Sequence, residues 1–161
     1  MKRRFLLTLA AAAFPLALAA QTPPEPTGPQ PELPKEKLVI VTRDGQEHTF
    51  NVEMALTEQQ QETGEMFRKE VPPDGGMLFV WDPPQRSQMW MKNTLIPLDM
   101  VFINTDGKIR TIAENTTPQS LAVIDSGGPV KATLELAAGT TTRLNIRVGD
   151  TVKQRIFNNA Q

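Results

Sequence analysis

Turn signals at short intervals constrain this chain more than any other feature. Asp44-Gly45, Pro72-Pro73-Asp74-Gly75-Gly76, Pro83-Pro84, Asp106-Gly107 and Gly149-Asp150 divide it into brief apolar runs, a length that suits strands and is too short for stable helices. Residues 37–42 are rich in β-branched side chains, and past Asp44-Gly45 the apolar Phe50, Val52 and Met54 alternate with polar residues. That pattern predicts two strands joined by a tight turn. Thr57-Glu58-Gln59-Gln60 has the capping-box spacing, with Gly64 placed to close a short helix. Residues 77–81, 87–94, 98–103 and 109–113 read as further strands, with Pro83-Pro84 breaking the chain between the first two. A loop is expected over 118–129, with a short strand at 121–124. Another strand is expected at 132–136, a helical turn at 140–145 and a last strand at 152–157. The fold class is mainly β, a single small β-sandwich or partly closed barrel with one or two short helices.

The first residues do not fit that pattern. Met1-Lys2-Arg3-Arg4 precedes an apolar, alanine-rich run to Ala20, the order of a secretory signal peptide over residues 1–20, with cleavage after Ala19 or Ala20. The run is shorter than the roughly 20 residues a membrane span needs, so contact with a membrane is expected only if the signal stays uncleaved. Six of the fourteen prolines lie between Gln21 and Pro34, which makes residues 21–35 a proline-rich linker of extended character. Residues 36–161 then form one β-rich domain, long enough for a core of its own. A periplasmic or secreted location follows from the leader.

Composition narrows the chemistry. With no cysteine and one histidine, His48, disulfides, thiolate metal sites and histidine-based zinc sites are excluded, and no cofactor is called for. A net charge of −1 is unlike a protein that holds nucleic acid through its phosphates, so no nucleic-acid partner is expected. Removal of Lys2, Arg3 and Arg4 would leave the remainder at about −4, an ordinary soluble charge. Carboxylates and cations remain as the acid–base players.

The block from Trp90 to Ile103 is the richest in candidate residues. Continued strand alternation would set Met89, Met91 and Asn93 on one face and Trp90, Lys92 and Thr94 on the other. An indole, an ammonium and a hydroxyl together suit a small polar ligand; an amphipathic strand with one wet face explains the pattern equally well. Asp99 lies between Leu98 and Met100. A carboxylate buried there needs a partner, and Lys92 and Arg68 are the cations expected to supply it. Glu135, between Leu134 and Leu136, is a second carboxylate in an apolar strand and would make an acid–base pair with Asp99 if the two met.

Gly64-Glu65-Met66-Phe67-Arg68, Gly76-Met77-Leu78-Phe79, Trp90-Met91-Lys92-Asn93-Thr94, Pro97-Leu98-Asp99, Leu134-Glu135-Leu136 with Gly139, and Gly149-Asp150 together resemble the bacterial and archaeal domain of unknown function 192 family, over roughly residues 37–157. The resemblance implies a compact, mostly β domain, frequently exported behind a signal segment, and no established activity. The family's recurring polar residues fall on Arg68, Lys92, Asn93, Thr94, Asp99 and Glu135. One departure stands out: where the family usually has leucine, this chain has Glu65, which reads as a solvent-facing position.

The function expected from these residues is a non-catalytic exported module that binds a small polar or saccharide-like ligand over Trp90, with Arg68, Lys92, Asn93, Thr94, Asp99 and Glu135 as polar contacts. The alternative is an envelope accessory protein that docks a protein partner. Two further readings are copper handling by the methionines of residues 54–100 and hydrolysis by Asp99 and Glu135.

Overall fold

The computed structural model describes residues 25–160. The expected signal peptide and the first residues of the proline-rich stretch lie outside them. Seven strands follow in chain order: β1 Lys35–Val41, β2 Glu47–Ala55, β3 Met77–Met89, β4 Leu98–Ile103, β5 Ile109–Ala113, β6 Ile124–Ala137 and β7 Thr151–Lys153. Two short helices, α1 Glu58–Thr63 and α2 Thr140–Arg143, and a 3-10 turn at Arg155–Phe157 complete the elements.

The strands form one sheet in the order β5-β4-β6-β3-β2-β1-β7. Its ends approach each other at a bridge between Lys108 and Thr151. Ile109 N donates to Asp150 O at 2.9 Å and Val152 N to Gly107 O at 2.7 Å, so the sheet is nearly closed into a barrel. Closure removes the exposed edges that a flat sheet of this size would present. Every strand sends at least one buried apolar residue into the enclosed core, among them Leu38, Phe50, Leu78, Val101, Ile109, Leu134 and Val152. Without disulfides, this burial is the main source of stability, at roughly 1.5–3 kcal/mol for each large side chain.

Several strand limits differ from the sequence expectation. Pro83-Pro84 do not end β3, which runs on to Met89; its pairing with β6 shifts register between Val80 and Gln85. Proline cannot donate to the ladder, so the strand bulges past the pair and resumes. The second half of β3 pairs with residues 124–130, which turns part of the expected loop into the first half of β6. The strand expected over 87–94 stops at Met89, and Asn93 adopts a left-handed conformation (φ 57°). At the C-terminal end the strand is only three residues long. The Gln154 side chain then accepts from Ile156 N at 2.8 Å and starts the 3-10 turn.

β2 and β3 are parallel, and parallel neighbours need a long crossover. Residues 56–76 supply it. Its first part is α1, closed by the expected capping box: Gln60 N donates to Thr57 Oγ1 and Thr57 N to Gln60 Oε1 at 3.0 Å. The crossover lies over the outer face of the barrel, and that placement creates the site.

Candidate functional site

Register places two rows of side chains on the outer face. Glu53, Met77, Glu135 and Met100 form one row across β2, β3, β6 and β4; Ala55, Phe79, Thr133 and Phe102 form the next. The crossover covers the β2 side and the 90–97 loop covers the β4 side. The two covers are tied where Phe67 N donates to Asn93 O at 2.9 Å.

Arg68 sits at the centre of a carboxylate group. Its guanidinium donates to both oxygens of Glu53, Nη1 to Oε1 at 2.5 Å and Nη2 to Oε2 at 2.8 Å, the two-pronged geometry that suits arginine. Leu33 N donates to Glu53 Oε2 at 2.7 Å as well. Burial pushes the Glu53 carboxyl up, but the Arg68 and Leu33 hydrogen bonds outweigh it and leave the group below the usual range. Arg68 Nε also lies 3.2 Å from Glu65 Oε2, without the alignment of a hydrogen bond. Glu65 is 3% exposed and Glu135 4%, and Oε2 of each has no hydrogen-bond partner among the described residues. Burial, only partly offset by Arg68, pushes Glu65 up to about 7. Burial, with the Glu65 charge adding to it, raises Glu135 well above the ordinary carboxylate range.

These two carboxyls line a cavity of about 810 Å³ between the crossover, β3 and the 90–97 loop. Phe79, Trp81 and Trp90 supply aromatic wall. Phe79 and Trp81 stack with centroids 6.1 Å apart, and the Trp81 indole donates to Thr133 Oγ1 at 3.1 Å. Trp90 is 48% exposed, with Lys92 Nζ 5.1 Å from its ring centroid and ion-paired to Glu25. Asn93 and Thr94 also line the cavity. Of the residues picked out from the sequence, Trp90, Lys92, Asn93, Thr94 and Glu135 therefore come together. Trp90, Lys92 and Thr94 reach the cavity through a turn, which replaces the expected alternation along one strand. Arg68 stands behind the cavity floor and reaches it through Glu65.

Asp99 belongs elsewhere. It pairs in register with Leu136 and so points to the enclosed side of the sheet, whereas Glu135, one residue earlier, points outward. Neither Lys92 nor Arg68 is its partner. It is fully buried and accepts from Asn115 N at 3.0 Å, Gly139 N at 3.1 Å, Thr141 N at 2.9 Å and Thr141 Oγ1 at 2.7 Å. Backbone donors satisfy the charge that the sequence assigned to a cation, and Asp99 fastens β4 to the loops at one end of the barrel. The pairing of Asp99 with Glu135 needed for hydrolysis is absent for the same reason. The methionines are packing residues: Met54, Met66, Met77, Met91 and Met100 are buried, and Thr116 Oγ1 donates to the Met91 sulfur at 3.1 Å.

Two carboxylates escaped the sequence reading. Glu53 lies on the polar side of an alternating strand, which the crossover then covers. Glu65 is buried, against the expectation that a charge there faces water. The available signal was two glutamates near an arginine, Glu65 three residues before Arg68, in a segment too short to be solvated all round. The proline-rich stretch is also engaged where it is described. Gln30 Nε2 donates to Gly64 O at 3.0 Å, and Leu33 packs on Ala55, Met77 and Phe79.

Residues 39–154 match the family model DUF192, described as Uncharacterized ACR. The chain belongs to the DUF192 family. A crystal structure from Sinorhizobium meliloti 1021, provisionally described as a transcription regulator, is 45% identical, with a TM-score of 0.76 over 79% of this chain and 98% of that one. A protein of unknown function from Novosphingobium aromaticivorans DSM 12444 is 36% identical, with a TM-score of 0.73 over 76% of this chain and 86% of that one. No curated protein matches the chain. The DUF192 match spans both covers of the outer face, so every cavity residue named above except Glu25 falls within the family's domain.

Proposed function

We propose that this DUF192 chain is an exported, non-catalytic module that binds a small polar, saccharide-like ligand in the outer-face cavity. The observation that carries the reading is the pair of buried carboxyls on the cavity floor, Glu65 and Glu135, each with an oxygen that has no hydrogen-bond partner among the described residues. Buried polar atoms are nearly always paired, and a ligand hydroxyl or amine would pair these. Aromatic rings beside hydrogen-bonding groups are the usual makeup of a site for such molecules. Trp90 offers the exposed ring, with Lys92, Asn93 and Thr94 at the mouth. Export is supported by the leader-like first twenty residues.

A thermal-shift screen of soluble glycans tests the reading. Ligand binding raises the midpoint as ligand concentration exceeds Kd, and Trp90→Ala should lose that rise while keeping its ligand-free midpoint. No stabilisation by any member of the screen, or an equal rise in Trp90→Ala, would refute it.

A further inference from the structure

The cavity is acidic as well as aromatic. Among the described residues Glu25, Glu58, Glu62, Glu65, Asp82 and Glu135 line it against one lining cation, Lys92; Lys92 is already paired with Glu25, and Asp82 is paired with Lys131. Arg68, behind the floor, is held in a two-pronged grip by Glu53 and reaches Glu65 only through its Nε, at 3.2 Å, so that Glu135 has no ion-pair partner among the described residues. If both floor carboxyls ionised, their charge would exceed what Arg68, shared with Glu53, could balance. A neutral ligand would pair the free oxygens but would leave ionisation of the floor pair as costly as before.

An alkylammonium ion fits both needs. It carries three donors and one positive charge, and the two floor oxygens that lack a hydrogen bond among the described residues are acceptors when ionised. The aromatic wall does not oppose this. Lys92 Nζ over the Trp90 ring is a cation already resting on one of these faces, a favourable arrangement. Resting on the reading of the cavity as a ligand site, we infer that the bound molecule carries a primary ammonium group seated between Glu65 and Glu135.

A proton balance follows. Glu65 has Glu135 of β6 beside it and Arg68 and Glu53 behind it, with Glu58 and Glu62 of α1, Asp82 of β3 and Lys92 farther round the cavity. Burial favours the protonated form of both floor carboxyls. An arriving ammonium favours the ionised forms, so binding releases a proton to solvent.

Titration calorimetry of the full chain at pH 7 with D-glucosamine, D-glucose and N-acetyl-D-glucosamine tests this, since the three share a ring and differ in the ammonium group. Repeating it in buffers of different ionisation enthalpy counts the protons. The expected result is at least tenfold tighter binding of glucosamine, with proton release, and loss of that preference in the Glu65→Gln, Glu135→Gln double variant. A cooperative unfolding transition in that variant keeps the comparison valid; if the variant does not fold, the proton count on the wild-type chain decides alone. Equal affinity for the three sugars, or binding of glucosamine without proton release, refutes the ammonium site and leaves the polar-ligand reading standing. No binding of any of the three refutes both.

Discussion

Replacing Glu65 by glutamine should change how stability depends on pH. In the folded chain the Glu65 carboxyl is pushed up from its ordinary 4.5 to about 7, chiefly because it is buried, with a side chain only 1% exposed. Below 4.5 both folded and unfolded chains hold the proton, and the group costs nothing. Between 4.5 and about 7 the unfolded chain releases its proton while the folded chain keeps it, so stability falls as pH rises, by about 1.4 kcal/mol per pH unit. The accumulated loss is roughly 3 kcal/mol by pH 7 and is constant above it. Glutamine has the same shape as the protonated acid and does not titrate. Glu65→Gln should therefore match the wild type near pH 4 and exceed it by roughly 3 kcal/mol at pH 8. Urea unfolding at half-unit intervals from pH 4 to 8.5, with the slope of free energy on urea checked for constancy, measures the difference. A difference that stays flat across that range would refute the burial argument, and with it the proton held on the cavity floor.

Three other substitutions test the framework. Arg68→Met leaves Glu53 and Glu65 without their cation and should cost about 3–5 kcal/mol in chemical denaturation at pH 7. Because the Glu53 carboxyl is held low by Arg68, its share of that loss should be present above its unfolded value and should fade as the pH drops through the acid range. Asp99→Asn turns a donor either toward the N–H groups of Asn115 and Gly139 or toward the Thr141 N–H and should lower stability by about 2–3 kcal/mol, while glycan binding, read by calorimetry, stays intact. Gly76→Ala would set a Cβ on the Glu135 carbonyl oxygen and against Leu136, at a φ of +150°. It should destabilise by at least about 2 kcal/mol, seen as a lower thermal midpoint, and should disturb the seat of Glu135.

Much of the barrel was legible in the chain. Val52 and Met54 flank Glu53 in an apolar–polar alternation, and Asp106-Gly107 and Gly149-Asp150 fall at the turns predicted for them. The capping box from Thr57 to Gln60 formed as its spacing required, since it depends on neighbours within one helical turn. The Trp90 region was legible in content and wrong in shape. Its residues do meet at a cavity, but they do so because Asn93 turns the chain in the left-handed region, and no alternation rule foresees that.

The sequence by itself determined a mainly β domain without disulfides, its turns, most of its strands and the residues of the Trp90 block, because turn chemistry and hydrophobic alternation act over a few neighbouring positions. Tertiary structure alone decided that β2 and β3 lie parallel, that the resulting crossover lies over the outer face, and that Glu53 and Glu65 are buried there with Arg68 and Glu135. It also decided that Asp99 and Glu135, similar in their apolar settings, point to opposite sides of one sheet. Register between distant strands sets which carboxylates meet, and register is a property of the closed barrel, to which residues far apart in the chain contribute together.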